Sequence, residues 1–545
     1  MIPLPQGRHI VKFLATRPEF VGVGWATARR LWDTFGHALY AMLADGDAES
    51  FGPLLDRNHA AIIIDAWRNQ LALADCVVFF DENGIDTKIA RKAVEFWGEQ
   101  AIAKIRENPY RLLCVCPWDK VDSAATLLGT SETDPRRLVA AVESILYDRL
   151  DRKHTWCAHD QLVRATAKRL RTDIKSGERA VEMAVADLAA IPVETGFQPA
   201  GAAYMERFIE KRVEAHLHRD PIGRDLFLDA IPAEDITTFL MTSPTCRILT
   251  AEQREAVRMA LMNTFSLLTG GAGVGKTTTL RAINSAAHHF GLTVYQIAIA
   301  GRAAKRMMES TGQPAQTAAS WLKKASHGQL ELGRHTMVII DEASMIDLPT
   351  LYRILFHLPQ HAPMLMVGDV AQLPPIGFGL VLHRLVSSDV VPRTELTRIL
   401  RAREETGIPE VSLSIREGRA VVLPEYNIRG GGCSFIQARE EDIIDRIEDV
   451  LHDWKCQEVQ VIAPSYAGQA GIDAINLHFH RGNRDRGQMA FDRFAVGDPC
   501  LWTVNDYERQ LWNGSLGKII TVDPGYPSGQ GRLVEIMRFG TDCPY

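Results

Sequence analysis

No run in this 545-residue chain approaches the roughly 18–20 consecutive apolar residues that a helix needs to cross a bilayer. The opening residues, Met1-Ile2-Pro3-Leu4-Pro5-Gln6-Gly7-Arg8, show no charged start followed by an apolar core, so they do not read as a secretory signal. A cytoplasmic location is the expectation. An excess of positive charge is also missing: 61 Lys and Arg stand against 67 Asp and Glu, a formal net charge of −6. Contact with a polyanion must then come from local basic grooves and not from the whole surface. The nine cysteines are scattered, and Cys114 and Cys116 form an isolated C-x-C with no second pair at zinc spacing. Buried reduced thiols are expected. Long low-complexity tracts are absent. What remains is an ordinary globular composition, 46% hydrophobic, in a chain long enough for about three to five domains.

The run Leu268-Thr269-Gly270-Gly271-Ala272-Gly273-Val274-Gly275-Lys276-Thr277-Thr278 fits G-x-x-x-x-G-K-[ST]. Ser266-Leu267-Leu268 reads as the end of a buried strand and Thr279-Leu280-Arg281-Ala282-Ile283 as the start of a helix. That context separates a phosphate-binding loop from a glycine-rich turn with an incidental lysine. Glycines let the backbone turn tightly and aim several N–H groups at phosphate oxygens. The helix N-terminus adds its positive dipole end. Lys276 is placed to reach the β- and γ-phosphates and the Thr277 hydroxyl to take a place on Mg²⁺. Gly270 to Thr278 form the expected nucleotide-binding set.

Three further runs complete a constellation. Met337-Val338-Ile339-Ile340 is an apolar strand ending in Asp341-Glu342. A buried strand delivers both carboxylates to the ligand-binding edge of an open α/β sheet. There Asp341 would hold Mg²⁺, directly or through water, and Glu342 would orient or deprotonate the attacking water. Gly368-Asp369-Val370-Ala371-Gln372-Leu373-Pro374-Pro375 follows another apolar strand, and the Gln372 amide could bond the γ-phosphate or its attacking water. Upstream, Thr250-Ala251-Glu252-Gln253 precedes an amphipathic helix; Gln253 could read the adenine edge, or Thr250 could merely cap the helix.

Along the chain, residues 1–147 read as helical, with three helix–turn–helix units. Phe20-Val21-Gly22-Val23-Gly24 leads into Trp25–Leu31, Asn83-Gly84-Ile85-Asp86 into Ile89–Val94, and Cys116-Pro117-Trp118-Asp119 into Val121–Ala125. Such turns can grip a DNA phosphate through helix N-terminal amides, or they can be plain αα-hairpin packing. Residues 148–235 read as a charged helical connecting domain. From 236 the pattern becomes short apolar strands alternating with helices, among them Ser266–Leu268, Val294–Ala298, Met337–Ile340 and Met364–Val367, which argues a parallel α/β sheet over 236–395. A second such region, with Val459-Gln460-Val461-Ile462-Ala463, is expected over 396–490, and a strand-rich tail over 491–545.

These elements in this order resemble superfamily 1 DNA helicases, and within them the RecD-like family. Gly301-Arg302-Ala303-Ala304-Lys305-Arg306 is similar to that family's single-strand-contacting segment, which implies DNA contacts for Arg302, Lys305 and Arg306. Leu396-Thr397-Arg398-Ile399-Leu400-Arg401 is similar to the motif opening the second motor domain, which implies that Arg401 touches the γ-phosphate across the cleft. Ala463-Pro464 with Gly468, Gly471 and Asp473–Asn476 resembles a further block, and Gly497-Asp498-Pro499 with Asn505–Tyr507 and Trp512–Gly514 resembles the beginning of an SH3-like insertion. The helical repeats with Glu107-Asn108-Pro109-Tyr110 resemble the branch with a long N-terminus that works without RecBC.

The resemblance implies a fold of helix–hairpin–helix repeats, two RecA-like motor domains and a β insertion. It implies ATP and Mg²⁺ as cofactors, single-stranded DNA and tailed junctions as partners, a monomeric motor, and 5′→3′ movement. The pattern departs from the family at Ala402, where Gln is usual, at Ala319, where His is frequent, and in the short stretch from Trp321 to Met337, which implies a reduced strand-splitting pin. The last two motor blocks, T-x-H-x-x-Q-G and an A-x-T-R core, are not found, so a C-terminally truncated helicase is expected. An ATP- and DNA-binding module without efficient turnover is the alternative. A third reading, the motor part of a conjugative relaxase, finds no histidine cluster or tyrosine arrangement to support it near the N-terminus.

Overall fold

The computed structural model describes residues 8–16, 19–20, 22–36, 38–46, 48–52, 54–83, 85, 89–217, 231–271, 273–333, 335–360, 362–398, 407–427, 432–454, 459–485, 490–491, 494–503, 513–522 and 534–538. The chain divides into two units, Met1–Tyr204 and Met205–Tyr545.

The first unit holds two apolar cores. One gathers Ile10, Leu14, Phe20, Leu31, Leu43, Phe51 and Ile63. The other runs from Cys76 through Ile105, Val121 and Leu146 to Ala190. The long helix Arg57–Glu82 serves both, giving Ala60 and Ile63 to one and Cys76 and Phe80 to the other. The expected hairpins are present as helix pairs. Helix Trp25–Phe35 follows Arg8–Thr16, and Ala90–Trp97 follows Arg57–Glu82, though Gly84 and Asp86 of that turn lie outside the described residues. The third turn is built for packing. Trp118 stacks on Tyr110 at 5.7 Å between ring centroids, and Tyr110 Oη donates to Asp122 Oδ1 at 2.8 Å. Arg137 donates twice to Asp122, at 2.9 Å each. The Asn108 side chain caps Tyr110 N at 3.0 Å, so the Glu107–Tyr110 run is a structural lock.

A boundary at 147 is not what the structure draws. Helix Pro135–Asp151 runs through it, and Leu162, Val181 and Ala184 share a core with Leu146. The region beyond is not wholly helical either: Cys157–Ala158, Gly196–Pro199 and Ala190–Val193 form a small antiparallel sheet.

In the second unit a six-stranded sheet carries the motor. Helix α1 (Ala251–Met262) precedes β1 (Phe265–Gly270), followed by α2 (Lys276–His289), β2 (Thr293–Ala298), α3 (Gly301–Thr311), β3 (Ala315–Thr317), β4 (Thr336–Asp341), α4 (Leu348–His357), β5 (Met364–Gly368) and β6 (Arg393–Leu396). The order across the sheet is 3-2-4-5-1-6, every pairing parallel. Central strands β1 and β5 are buried along their whole length because helices cover both faces, and so they read as unbroken apolar runs. Among the described residues between Trp321 and Met337 no hairpin forms.

The second RecA-like sheet expected over 396–490 does not form among the described residues. Helices α5 (Ile408–Arg416), Ile443–Asp453 and Ile472–Asp485 are present with one isolated bridge, Glu425 to Phe435. Val459–Ala463, expected as a core strand, pairs with nothing, and Val459 and Ile462 are exposed. A strand needs neighbours to complete its hydrogen-bond ladder and a layer to bury its side chains; among the described residues no strand lies beside it. In the tail, Pro499–Leu501, Leu516–Val522 and Val534–Arg538 make an antiparallel three-stranded sheet, as the strand-rich reading expected.

Candidate nucleotide site

Parallel register brings the candidate residues to one edge. Thr269 stands beside Gly368, Gly270 beside Leu396, and Asp341 beside Ala298. The phosphate-binding loop, Asp341-Glu342 and Asp369 therefore leave adjacent strands at their carboxyl ends, the binding edge of an open α/β sheet. Gly273 and Gly275 both take positive φ, 81° and 87°, which a side chain would resist. Gly275 is the N-cap of α2, so the loop turns directly into the helix N-terminus. Ala272 lies outside the described residues.

Lys276 Nζ donates to the carbonyl oxygens of Gly270 at 2.5 Å and Gly271 at 3.0 Å, which holds the ammonium inside its own loop. Burial lowers its pKa, while Asp369 and Asp341 act in the opposite sense. Thr277 is exposed at the mouth, and Val274 is buried beneath it. Asp341 is pushed up by burial, against its bond from Glu342 N at 2.9 Å and the charge of Lys276. Glu342 is pushed up first by burial and then by Asp341, with Arg306 and Lys276 lowering it. Two carboxylates raised in this way are suited to a cation. The donors are hard oxygens, Asp341 and Thr277, which fit Mg²⁺ held in part by phosphate oxygens. Among the described residues no group of three or more His, Cys, Asp or Glu makes a protein-only metal cage. Bound there, Mg²⁺ would neutralise charge on the phosphates.

Gln372 is exposed on the loop after β5, its backbone N donating to Asp369 O at 3.0 Å. Gln253 is only 1% exposed, and its amide is engaged. Its Oε1 accepts from Thr250 N at 3.0 Å, and its Nε2 donates to Val274 O at 3.3 Å, so it braces the phosphate loop against α1. Thr250 caps the same helix, as the second reading of this run had it, and the capping box engages the Gln253 amide that the first reading gave to adenine. On α3, Arg302 and Arg306 are exposed, while Lys305 pairs with Glu309 at 3.6 Å. Arg401 lies outside the described residues.

Three contributors carried no role in the sequence. Glu252 accepts from Thr397 N at 3.0 Å and Thr397 Oγ1 at 2.7 Å, tying α1 to the chain as it leaves β6. Asp369, almost fully buried, pairs with Arg416 at 3.2 Å. Asp369 had a local signal, an acid straight after an apolar strand. Arg416 and Glu252 had none, because their contacts are tertiary.

Residues 69–156 match the family profile described as the ATP-dependent RecD2 DNA helicase HHH domain, and residues 248–431 match an AAA domain profile. The ATP-dependent RecD2 DNA helicase of Deinococcus radiodurans is 25% identical over 92% of this chain and 72% of its own length. The RecBCD enzyme subunit RecD of Mycolicibacterium smegmatis is 26% identical over 50% of this chain and 58% of its own. The crystal structure of Pif1 helicase from Candida albicans aligns with 51% of this chain and 70% of that one at 21% identity, with a TM-score of 0.29, too loose to argue from. The helical repeat region and the motor sheet thus find relatives of one kind, and in the same order along the chain: over nearly its whole length this chain is similar to the RecD-like ATP-dependent DNA helicases.

Proposed function

We propose that the chain couples ATP hydrolysis to 5′→3′ movement along single-stranded DNA and to strand separation at junctions with single-stranded tails. The observation that carries the reading is the convergence of Lys276, Asp341, Glu342 and Asp369 on one sheet edge, next to a helix with exposed arginines. Lys276 would bind the β- and γ-phosphates, Asp341 and Thr277 would hold Mg²⁺, and Glu342 would take the proton of the attacking water. A carboxylate raised by burial is the better base near neutral pH. Gln372 would sense the γ-phosphate, and Arg401 would reach it from the segment after β6. Arg302, Lys305 and Arg306 would hold the strand through phosphates, so binding should be salt-sensitive and sequence-tolerant. The helix–hairpin–helix region would add sequence-blind contacts, and the motor would act as a monomer.

The test is phosphate release by the purified chain with and without single-stranded DNA, then unwinding of duplexes carrying either a 5′ or a 3′ tail. DNA should stimulate turnover, Lys276→Ala should abolish it, and only the 5′-tailed duplex should open. ATP binding without turnover would sink the motor reading and leave a nucleotide- and DNA-binding module. Opening of the 3′-tailed duplex alone would reverse the direction.

A further inference from the structure

Helix α5 ends on Arg416, and the guanidinium of Arg416 reaches the nucleotide loop. Its Nη2 lies 3.2 Å from Asp369 Oδ1. Its Nη1 is so close to the loop that a Cβ added at Gly271 would stand 3.1 Å away. Asp369 Oδ1 also accepts from Ala371 N at 3.0 Å, so the carboxylate is fixed from its own loop. A buried carboxylate gains from any cation, and a plain counter-ion role would account for the pair alone. It would not account for where the guanidinium lies. Arg416 is against the backbone of the loop that cradles phosphates. Its charge is felt at Lys276, where it opposes the ammonium. Two cations therefore converge on one place, with Asp369 and Asp341 as their present counter-ions, and a phosphate seated on the loop is an anion that both could engage. A planar guanidinium suits a phosphate, which it can engage through two donors at once.

We propose that Arg416 exchanges Asp369 for the terminal phosphates of a nucleoside triphosphate seated on the loop, and so acts as a phosphate-contacting arginine besides Arg401. The inference rests on the ATPase reading above. No covalent bond changes in this step; one ion pair replaces another. A diphosphate offers no γ-phosphate, so Arg416 stays on Asp369. Since Arg416 is the last residue of α5, the helix follows the guanidinium between the two positions. Nucleotide state is thereby passed to the chain beyond β6.

The test uses the full 545-residue chain as wild type, Arg416→Ala and Arg416→Lys. Affinities for a non-hydrolysable ATP analogue and for ADP are measured by fluorescence, and DNA-stimulated phosphate release is followed in parallel. Arg416→Ala should lose about tenfold or more in triphosphate affinity and about a hundredfold or more in turnover, as removal of a phosphate-facing arginine does. Its ADP affinity should stay within about threefold of wild type. Arg416→Lys should recover part of the triphosphate affinity and little of the turnover, because lysine keeps the charge without the fork. Equal losses for the two nucleotides, or no loss for either, would overturn the proposal and leave Arg416 as a counter-ion. A wild-type chain that binds the analogue without turning ATP over fails the motor reading alone, and the ATP-to-ADP affinity ratio still decides Arg416. A wild-type chain that binds neither nucleotide overturns both.

Discussion

Glu342 combines two unfavourable placements. Its φ of 53° lies in the left-handed region, which costs a residue with a Cβ about 1–2 kcal/mol. Its carboxyl is raised by burial and by Asp341. A carboxyl whose folded pKa is above its unfolded value adds stability below the unfolded value and loses it as pH rises through the folded one. Above their raised values the ionised Asp341–Glu342 pair therefore opposes folding. Glu342→Gln should stabilise the chain by about 0.5–2 kcal/mol, the scale of relief at strained functional sites, while turnover falls about 10²–10⁴-fold, the share of a positioned base. Thermal melts and phosphate release read the two effects. A variant less stable than wild type, or one that keeps its turnover, removes the base assignment. The same burial gives a pH dependence. Metal ligands must be deprotonated, so Mg²⁺-dependent turnover should weaken on acidification while the pH is still above the ordinary aspartate value of 3.8. A magnesium titration at descending pH would show it, and an unchanged Mg²⁺ requirement down to that value would contradict it. These acids were legible in the sequence because each closes a local pattern, an apolar strand ending in a carboxylate. Arg416 was not, since nothing near it in the chain announces a partner at Asp369.

The first turn of α1 is where one element serves the fold and the site together. Thr250 Oγ1 accepts from Gln253 N at 3.3 Å, a cap of the kind whose loss costs about 1 kcal/mol. Gln253 does more, since its buried amide also holds the carbonyl of Val274. Gln253→Ala leaves Thr250 N and Val274 O without that partner, a loss of about 1–3 kcal/mol, and frees the phosphate loop. Thr250→Ala should lower stability and spare nucleotide affinity. Gln253→Ala should lower both, and should do so for ATP and GTP alike. Nucleotide titrations of the two variants check this; a Gln253→Ala chain that keeps its stability but no longer prefers ATP to GTP would make the residue an adenine reader instead of a brace. Elements were legible in proportion to their burial. The four apolar strands of the sequence reading are β1, β2, β4 and β5. Strands β3 and β6 escaped because each is short, at the sheet edge, and polar: Ala315–Thr317 and Arg393–Leu396. Val459–Ala463 has the right composition and still makes no ladder, because a strand exists only with a partner.

At the scale of the molecule, apolar cores and not composition set the divisions. The sequence drew a line at 147 because the glycine-bearing turns stop there, but Leu146 and Val181 lie in one core. The line falls instead near Tyr204. Each side has cores of its own: those centred on Leu31 and Ile105 on one side, and that beneath the motor sheet, with Leu268, Ile283 and Val367, on the other. Every residue assigned to the nucleotide belongs to the second side. A ligand stabilises only the cooperative unit that binds it, by about 2.7 kcal/mol at a hundredfold excess over its dissociation constant. Calorimetry of the full chain should therefore show two transitions, with ATP analogue and Mg²⁺ raising one and leaving the other in place. Lys276→Ala should cancel that shift, and in the absence of nucleotide it should leave the transition of the first unit in place, since Lys276 is half-buried in the second unit alone. One transition that rises as a whole with nucleotide would mean that the cores melt together, and the division near Tyr204 would then be geometric without being energetic.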